Sequence, residues 1–142
     1  MKKILLIFVA VIAFGTSVYS QTAWEITWDF YGTRHQGLLL VDSDNTGLLR
    51  VKCWNIYYGT LIDVVDQDVV VRKVYDGVII NCYNPRSTIY NYTNYSADNF
   101  KIFNNGTMYM QDDNGNWSSM IVMYEITTTA QLNAKMREFD LK

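Results

Sequence analysis

Trp24, Ile26, Trp28 and Phe30 alternate with Glu25, Thr27, Asp29 and Tyr31 over eight successive residues. Side chains of an extended strand point to opposite faces in turn, so a period of two describes a strand with one apolar and one polar face. The pattern returns down the chain in short pieces separated by turn-forming residues. That repetition constrains the fold more than any other feature, because strands with one apolar face must cover it against one another.

Residues 32–37 interrupt the first run, and an apolar run resumes at residues 38–41, so the two read as a hairpin. Residues 42–47 form a second polar turn, and residues 48–58 a third strand in which Arg50 and Lys52 oppose Leu49, Val51 and Cys53. Gly59-Thr60 marks the next reversal. Between residues 61 and 75 valines occupy both parities, which a bulge near Asp66-Gln67-Asp68 or burial on both faces would produce. Asp76-Gly77 is a hairpin signature, followed by a strand at residues 78–83. Residues 84–99 hold the only proline, Pro85, with four asparagines and three tyrosines, and read as a long surface loop. Asn104-Asn105-Gly106 and Asn114-Gly115 then separate strands at residues 100–103, 107–111 and 117–126.

The C-terminus changes period. Thr129 can cap a helix in which Leu132, Met136 and Phe139 recur at spacings of four and three, forming one apolar stripe. An all-β chain of about eight short strands in sequence order, ending in an α-helix, closes most economically into a small antiparallel β-barrel; a two-sheet β-sandwich is the alternative. In strand number and terminal helix the chain resembles the lipocalin and avidin group of exported barrels, and that resemblance implies an enclosed site for a small ligand. It extends to architecture only. Trp24 and Trp28 lack a glycine two residues before them, and Gly115-Asn116-Trp117 has that spacing near the other end of the chain.

The first twenty residues are of another kind. Met1-Lys2-Lys3 is followed by an apolar run at residues 4–15 and by small and polar residues ending Val18-Tyr19-Ser20, the three-part pattern of a secretory signal peptide. Val18 and Ser20 suit the −3 and −1 subsites of signal peptidase, placing cleavage before Gln21 and leaving residues 21–142 as a single domain. The run falls short of the ~20 apolar residues that span a bilayer, no second one follows, and the first cysteine, Cys53, lies too far along for a lipid anchor. The expected location is periplasmic or secreted, with no transmembrane segment after processing. The formal charge of −2, more negative without Lys2 and Lys3, argues against nucleic acid as a partner.

Cys53 shares parity with Leu49 and Val51, and Cys82 with Val78 and Ile80, so both point toward a core. An exported chain with two cysteines invites a disulfide. In a simple meander, however, one strand separates them, and two spacings of ~4.8 Å exceed the ~7 Å Cα limit for a bridge. A Cys53–Cys82 disulfide and two buried free thiols both remain open at this point.

No catalytic residue is nominated. His35 is the single histidine and so the one base for a Cys–His or Ser–His pair, but it falls in the segment read as a turn, where it would be solvated, and with two inward cysteines it supplies no zinc-ligand spacing. Asp42-x-Asp44-x-Thr46-Gly47 has the start of a calcium loop, yet its twelfth position is Cys53 where a bidentate glutamate is needed. It reads as a polar hairpin turn, as does Asp112-Asp113-Asn114-Gly115-Asn116. Asn-x-Ser/Thr triplets begin at Asn91, Asn94, Asn105 and Asn116. No metal or cofactor is expected. The leading expectation is a non-enzymatic binding domain whose ligand, a glycan or a small apolar molecule, meets Tyr83, Tyr90, Tyr92 and Tyr95 on or beside the long loop, while Trp24 and Trp28 fill the core. The alternative is a structural or protein-interaction module at the cell envelope, using Trp54, Ile56 and Tyr58 as an exposed apolar stripe.

Overall fold

The structure, a computed structural model, describes residues 9–12 and 18–141. Nine strands run in sequence order: β1 (Val9–Ile12), β2 (Val18–Phe30), β3 (Thr33–Asp42), β4 (Thr46–Asn55), β5 (Leu61–Val74), β6 (Gly77–Ser87), β7 (Asn99–Phe103), β8 (Met108–Gln111) and β9 (Trp117–Ile126). Every neighbouring pair is antiparallel, and β9 returns to pair with β2 from Ala23↔Ile126 to Thr27↔Val122. Strands β2 to β9 therefore close an eight-stranded barrel, which removes its open edges and decides between barrel and sandwich. The expected signal peptide lies in large part outside the described residues; within it, β1 pairs with the start of β2, from Val9↔Gln21 to Ile12↔Val18.

The inner face carries the alternating set read from the sequence: Trp24, Ile26 and Trp28 of β2 pack with Leu39, Leu49, Val69, Ile80, Phe100, Met108 and Ile121 from the other strands. Gly37 belongs to this face. A Cβ there would come within 3.1 Å of both Leu49 Cδ1 and Ile26 Cγ1, so a side chain at Gly37 would displace two core residues.

Three local readings change. Strand β2 does not turn over residues 32–37 but over Tyr31-Gly32, which take φ of 45° and 78°, the positive values at both central residues of a type I′ hairpin. Tyrosine tolerates that region poorly, and so the turn is silent in the sequence. Phe30, at the tip, is exposed. The loop expected at 84–99 is shorter, because β6 continues to Ser87. Pro85 is accommodated where the β5–β6 ladder is interrupted: Tyr83 pairs with Asp68 and Arg86 with Asp66, so Asn84 and Pro85 bulge out opposite Gln67. The parity shift expected within β5 does not occur: its register with β4 runs unbroken from Cys53↔Asp63 to Thr46↔Val70, Val65, Gln67 and Val69 are all buried, and the extra residue belongs to β6.

Helix α1 (Thr129–Glu138) starts one residue earlier than read, with Thr128 as N-cap accepting from Gln131 N at 3.1 Å. Its buried Leu132, with Met136 and Phe139, covers the outward-facing Ala23, Leu38, Leu40 and Ile126 on the barrel wall. Its C-terminal carbonyls meet cations of β4: Lys52 Nζ donates to Glu138 O at 2.6 Å and Arg50 Nη1 to Phe139 O at 2.9 Å. Arg50 is itself held in a fork by Asp66, at 2.7 and 2.9 Å.

Candidate functional site

The antiparallel order assigns the connections to two ends of the barrel. The β3–β4, β5–β6 and β7–β8 turns stand at one end with the beginning of the barrel-forming part of β2; Tyr31-Gly32, residues 56–60, the 88–98 loop and the β8–β9 turn stand at the other.

The second end carries a buried cluster. Trp28, His35 and Cys53 are register neighbours on β2, β3 and β4, all buried and inward. The Trp28 and His35 rings stack at 4.9 Å, 4° apart, and Tyr95 from the long loop lies 6.0 Å from His35. His35 is thus a core residue in a strand, not a solvated turn residue, and burial holds it below the usual histidine pKa. Tyr95 Oη donates to Asp98 Oδ2 at 2.8 Å, and the fully buried Gln67 bonds both the carboxylate and the backbone N–H of Asp98. Burial pushes the Asp98 carboxyl up to about 6, against the opposing pull of its Gln67 and Tyr95 donors. Gln67 stands opposite the Asn84-Pro85 bulge of β6.

The two cysteines sit beside this cluster as buried free thiols on β4 and β6, with β5 between them. Desolvation pushes Cys53 up to about 12 and Cys82 well above its ordinary value, so neither is primed as a nucleophile.

The first end holds a concavity among the described residues. A cup of about 430 Å³ enters the barrel there, floored by Trp24, Val41, Val71, Val78 and Ile80. Its rim is polar, with Thr22, Asp42, Ser43, Asn45 and Lys73. The rim is braced: Val71 N donates to Asn45 O at 2.8 Å, tying the β3–β4 turn to β5. Below the cup the interior is filled by fully buried residues including Ile26, Leu39, Leu49 and Phe100. Trp24 Nε1 is buried and has no hydrogen-bond partner among the described residues. A buried indole N–H without an acceptor costs about 1–3 kcal/mol.

Of the four tyrosines expected at a site, Tyr83, Tyr90 and Tyr92 are exposed and Tyr95 is turned inward as part of the buried cluster. None of the four lines the cup. The cup draws instead on Trp24 and on branched aliphatic residues of three strands, Val41 of β3, Val71 of β5 and Val78 and Ile80 of β6.

Asp44 and Asp112 are spent on local turns, accepting from Thr46 N and Oγ1 and from Asn114 N and Asn116 N respectively. Among the described residues no group of three or more His, Cys, Asp or Glu side chains is placed to hold a metal ion. No helix there is long and apolar enough to cross a membrane. Comparisons with protein families, with curated proteins and with solved structures give no match to this chain.

Proposed function

We propose that this chain is an exported, non-enzymatic binding domain that holds a small, largely apolar molecule in the cup at one end of the barrel. One observation carries the reading: five inward residues, four of them buried, make the apolar floor of a concavity at one end of the barrel, while the buried Tyr95–Asp98–Gln67 cluster occupies the other. An apolar group placed there gains roughly 25 cal/mol for each Å² removed from water. The polar rim suits a ligand with an apolar body and a polar tail that stays at the mouth.

Export is part of the same proposal. Cleavage before Gln21 would remove β1 and the first three residues of β2, yet every β2–β3 and β2–β9 pair begins at or after Gln21. The closed barrel would lose none of its ladders.

The test is titration of the domain spanning residues 21–142 with an environment-sensitive apolar fluorophore such as N-phenylnaphthylamine. Saturable enhancement that is lost in Val71→Trp, which fills the cup, supports the reading. No enhancement in the folded wild type counts against it. The second reading, a protein-interaction module, draws on the outer face of β9, where Met120, Val122 and Tyr124 are all exposed. Trp54, Ile56 and Tyr58 do not form the single stripe expected for that role, since Trp54 is partly buried on β4 while the other two lie in the turn beyond it.

A further inference from the structure

A second concavity lies on the outside of the barrel. It is a groove of about 440 Å³ over β2, β3 and β4, lined by Trp54 and Ile56 with Thr27, Arg34, Gln36 and Asn55. Ligand pockets of a few hundred Å³ with an apolar plane and a few fixed polar groups take small molecules, and the kind of molecule follows from which polar groups are uncommitted.

The committed ones are clear. Trp54 Nε1 donates to Gln36 Oε1 at 3.3 Å, so the indole offers the groove its ring and not its N–H. Arg34 spends Nε and one Nη2 hydrogen on the Asp29 carboxylate, at 2.8 and 2.9 Å, which fixes its plane and matches its charge. Asn55 Oδ1 accepts from Tyr57 N and Tyr58 N at 2.9 and 3.0 Å, which fixes the orientation of that amide. What remains uncommitted among the described residues is a set of donors around an aromatic plane: Arg34 Nη1, Asn55 Nδ2 and the Thr27 hydroxyl.

From this arrangement we infer that the outer groove is a second ligand site, and that its ligand is a saccharide. A pyranose ring has a C–H face that lies on an aromatic plane and a rim of hydroxyls that accept hydrogen bonds in the plane of the ring. The groove supplies both halves. A flat apolar molecule would cover Trp54 but strip water from the Arg34 and Asn55 donors without replacing it, a net loss. An anion gains little, because Asp29 already balances Arg34. The groove faces outward and the cup inward, so this site is independent of the apolar one.

The experiment is a glycan array probed with the domain spanning residues 21–142, followed by calorimetric titration of the strongest binder into wild type, Trp54→Ala, Trp54→Phe and Val71→Trp. We expect saccharide binding that falls on the order of tenfold or more in Trp54→Ala, is largely kept in Trp54→Phe, and is unchanged in Val71→Trp. In wild type, the Trp54 indole N–H resonance should shift on adding that saccharide, a readout that needs no variant to fold. Three results overturn the proposal: no binder at millimolar saccharide, binding indifferent to Trp54→Ala in a folded variant, or a Trp54 resonance that does not move. Loss of binding in Val71→Trp alone would assign the saccharide to the cup and also overturns it. None of these results bears on fluorophore binding in the cup, so the two readings fail separately.

Discussion

Gln67 grips Asp98 twice: its Nε2 donates to the Asp98 carboxylate at 2.8 Å and its Oε1 accepts from the Asp98 backbone N–H at 2.9 Å. The pair joins the middle of β5, opposite the Asn84-Pro85 bulge of β6, to the end of the long loop, 31 residues away. Replacing Gln67 by Ala strands a buried carboxylate on the Tyr95 donor alone. The expected cost is about 2–3 kcal/mol, read as a lowered urea midpoint, together with faster hydrogen exchange at residues 88–98. An unchanged midpoint would mean that the clamp does not hold the loop.

Asp98 and His35 pull stability in opposite directions as pH changes. The Asp98 carboxyl is raised from 3.8 to about 6, so the folded chain keeps a proton that the unfolded chain has lost. Its contribution is complete below about pH 3.8 and is lost as pH rises through about 6, on the order of 3 kcal/mol in all. His35 is held below 6.5 by burial, so its contribution is present above pH 6.5 and is lost as pH falls through its folded value. Asp98→Asn should therefore gain stability relative to wild type as pH is raised from about 4 to 7, and His35→Phe should gain as pH is lowered over the same range. Urea midpoints at four pH values check both slopes; two flat difference curves would show that neither group titrates as its burial demands.

Helix α1 contributes through the outside of the wall. Phe139 is fully buried against the patch that includes Leu38 and Leu40, and Lys52 Nζ lies 5.1 Å from the centre of its ring. Phe139→Ala should cost about 3–5 kcal/mol and increase binding of a surface-active dye at the uncovered patch. A loss under about 1 kcal/mol would show that the barrel wall does not depend on this cover.

The thiols give a direct chemical check. Cys53 and Cys82 are buried with raised pKa values, so an aromatic disulfide reagent at about pH 8 should find no reactive thiol in the native domain and two after denaturation. Fast native reaction would place at least one sulfur at the surface; none after denaturation would mean that the two are bridged.

The barrel was legible because alternation and turn chemistry point the same way: residues 24–29, 48–53 and 78–82 each combine a clear parity with a nearby turn signal. The helix was legible from the spacing of Leu132, Met136 and Phe139. What escaped was set by long-range packing. Tyr31 adopts a backbone conformation that its side chain disfavours, so the tight turn carries no sequence mark and His35 was displaced from strand to turn. Asp98 read as a loop residue and Gln67 as part of an expected bulge in a strand, and nothing local to either marks them as the buried pair that they form across 31 residues. Inward parity marked Trp24, Val78 and Ile80 of the cup floor, whereas Val41 lay in an unbroken apolar run and Val71 among valines of both parities. The tyrosines, prominent by composition, divide between the surface and the buried cluster.

The central claim is that the cup around Trp24 receives an apolar ligand. The four indole N–H resonances, assigned by single Trp→Phe substitutions, report Trp24, Trp28, Trp54 and Trp117 separately. On titration with N-phenylnaphthylamine, the Trp24 resonance should move with the binding isotherm while those of Trp54 and Trp117 stay in place. Binding that leaves Trp24 unmoved, or that shifts Trp54 or Trp117 instead, would contradict it.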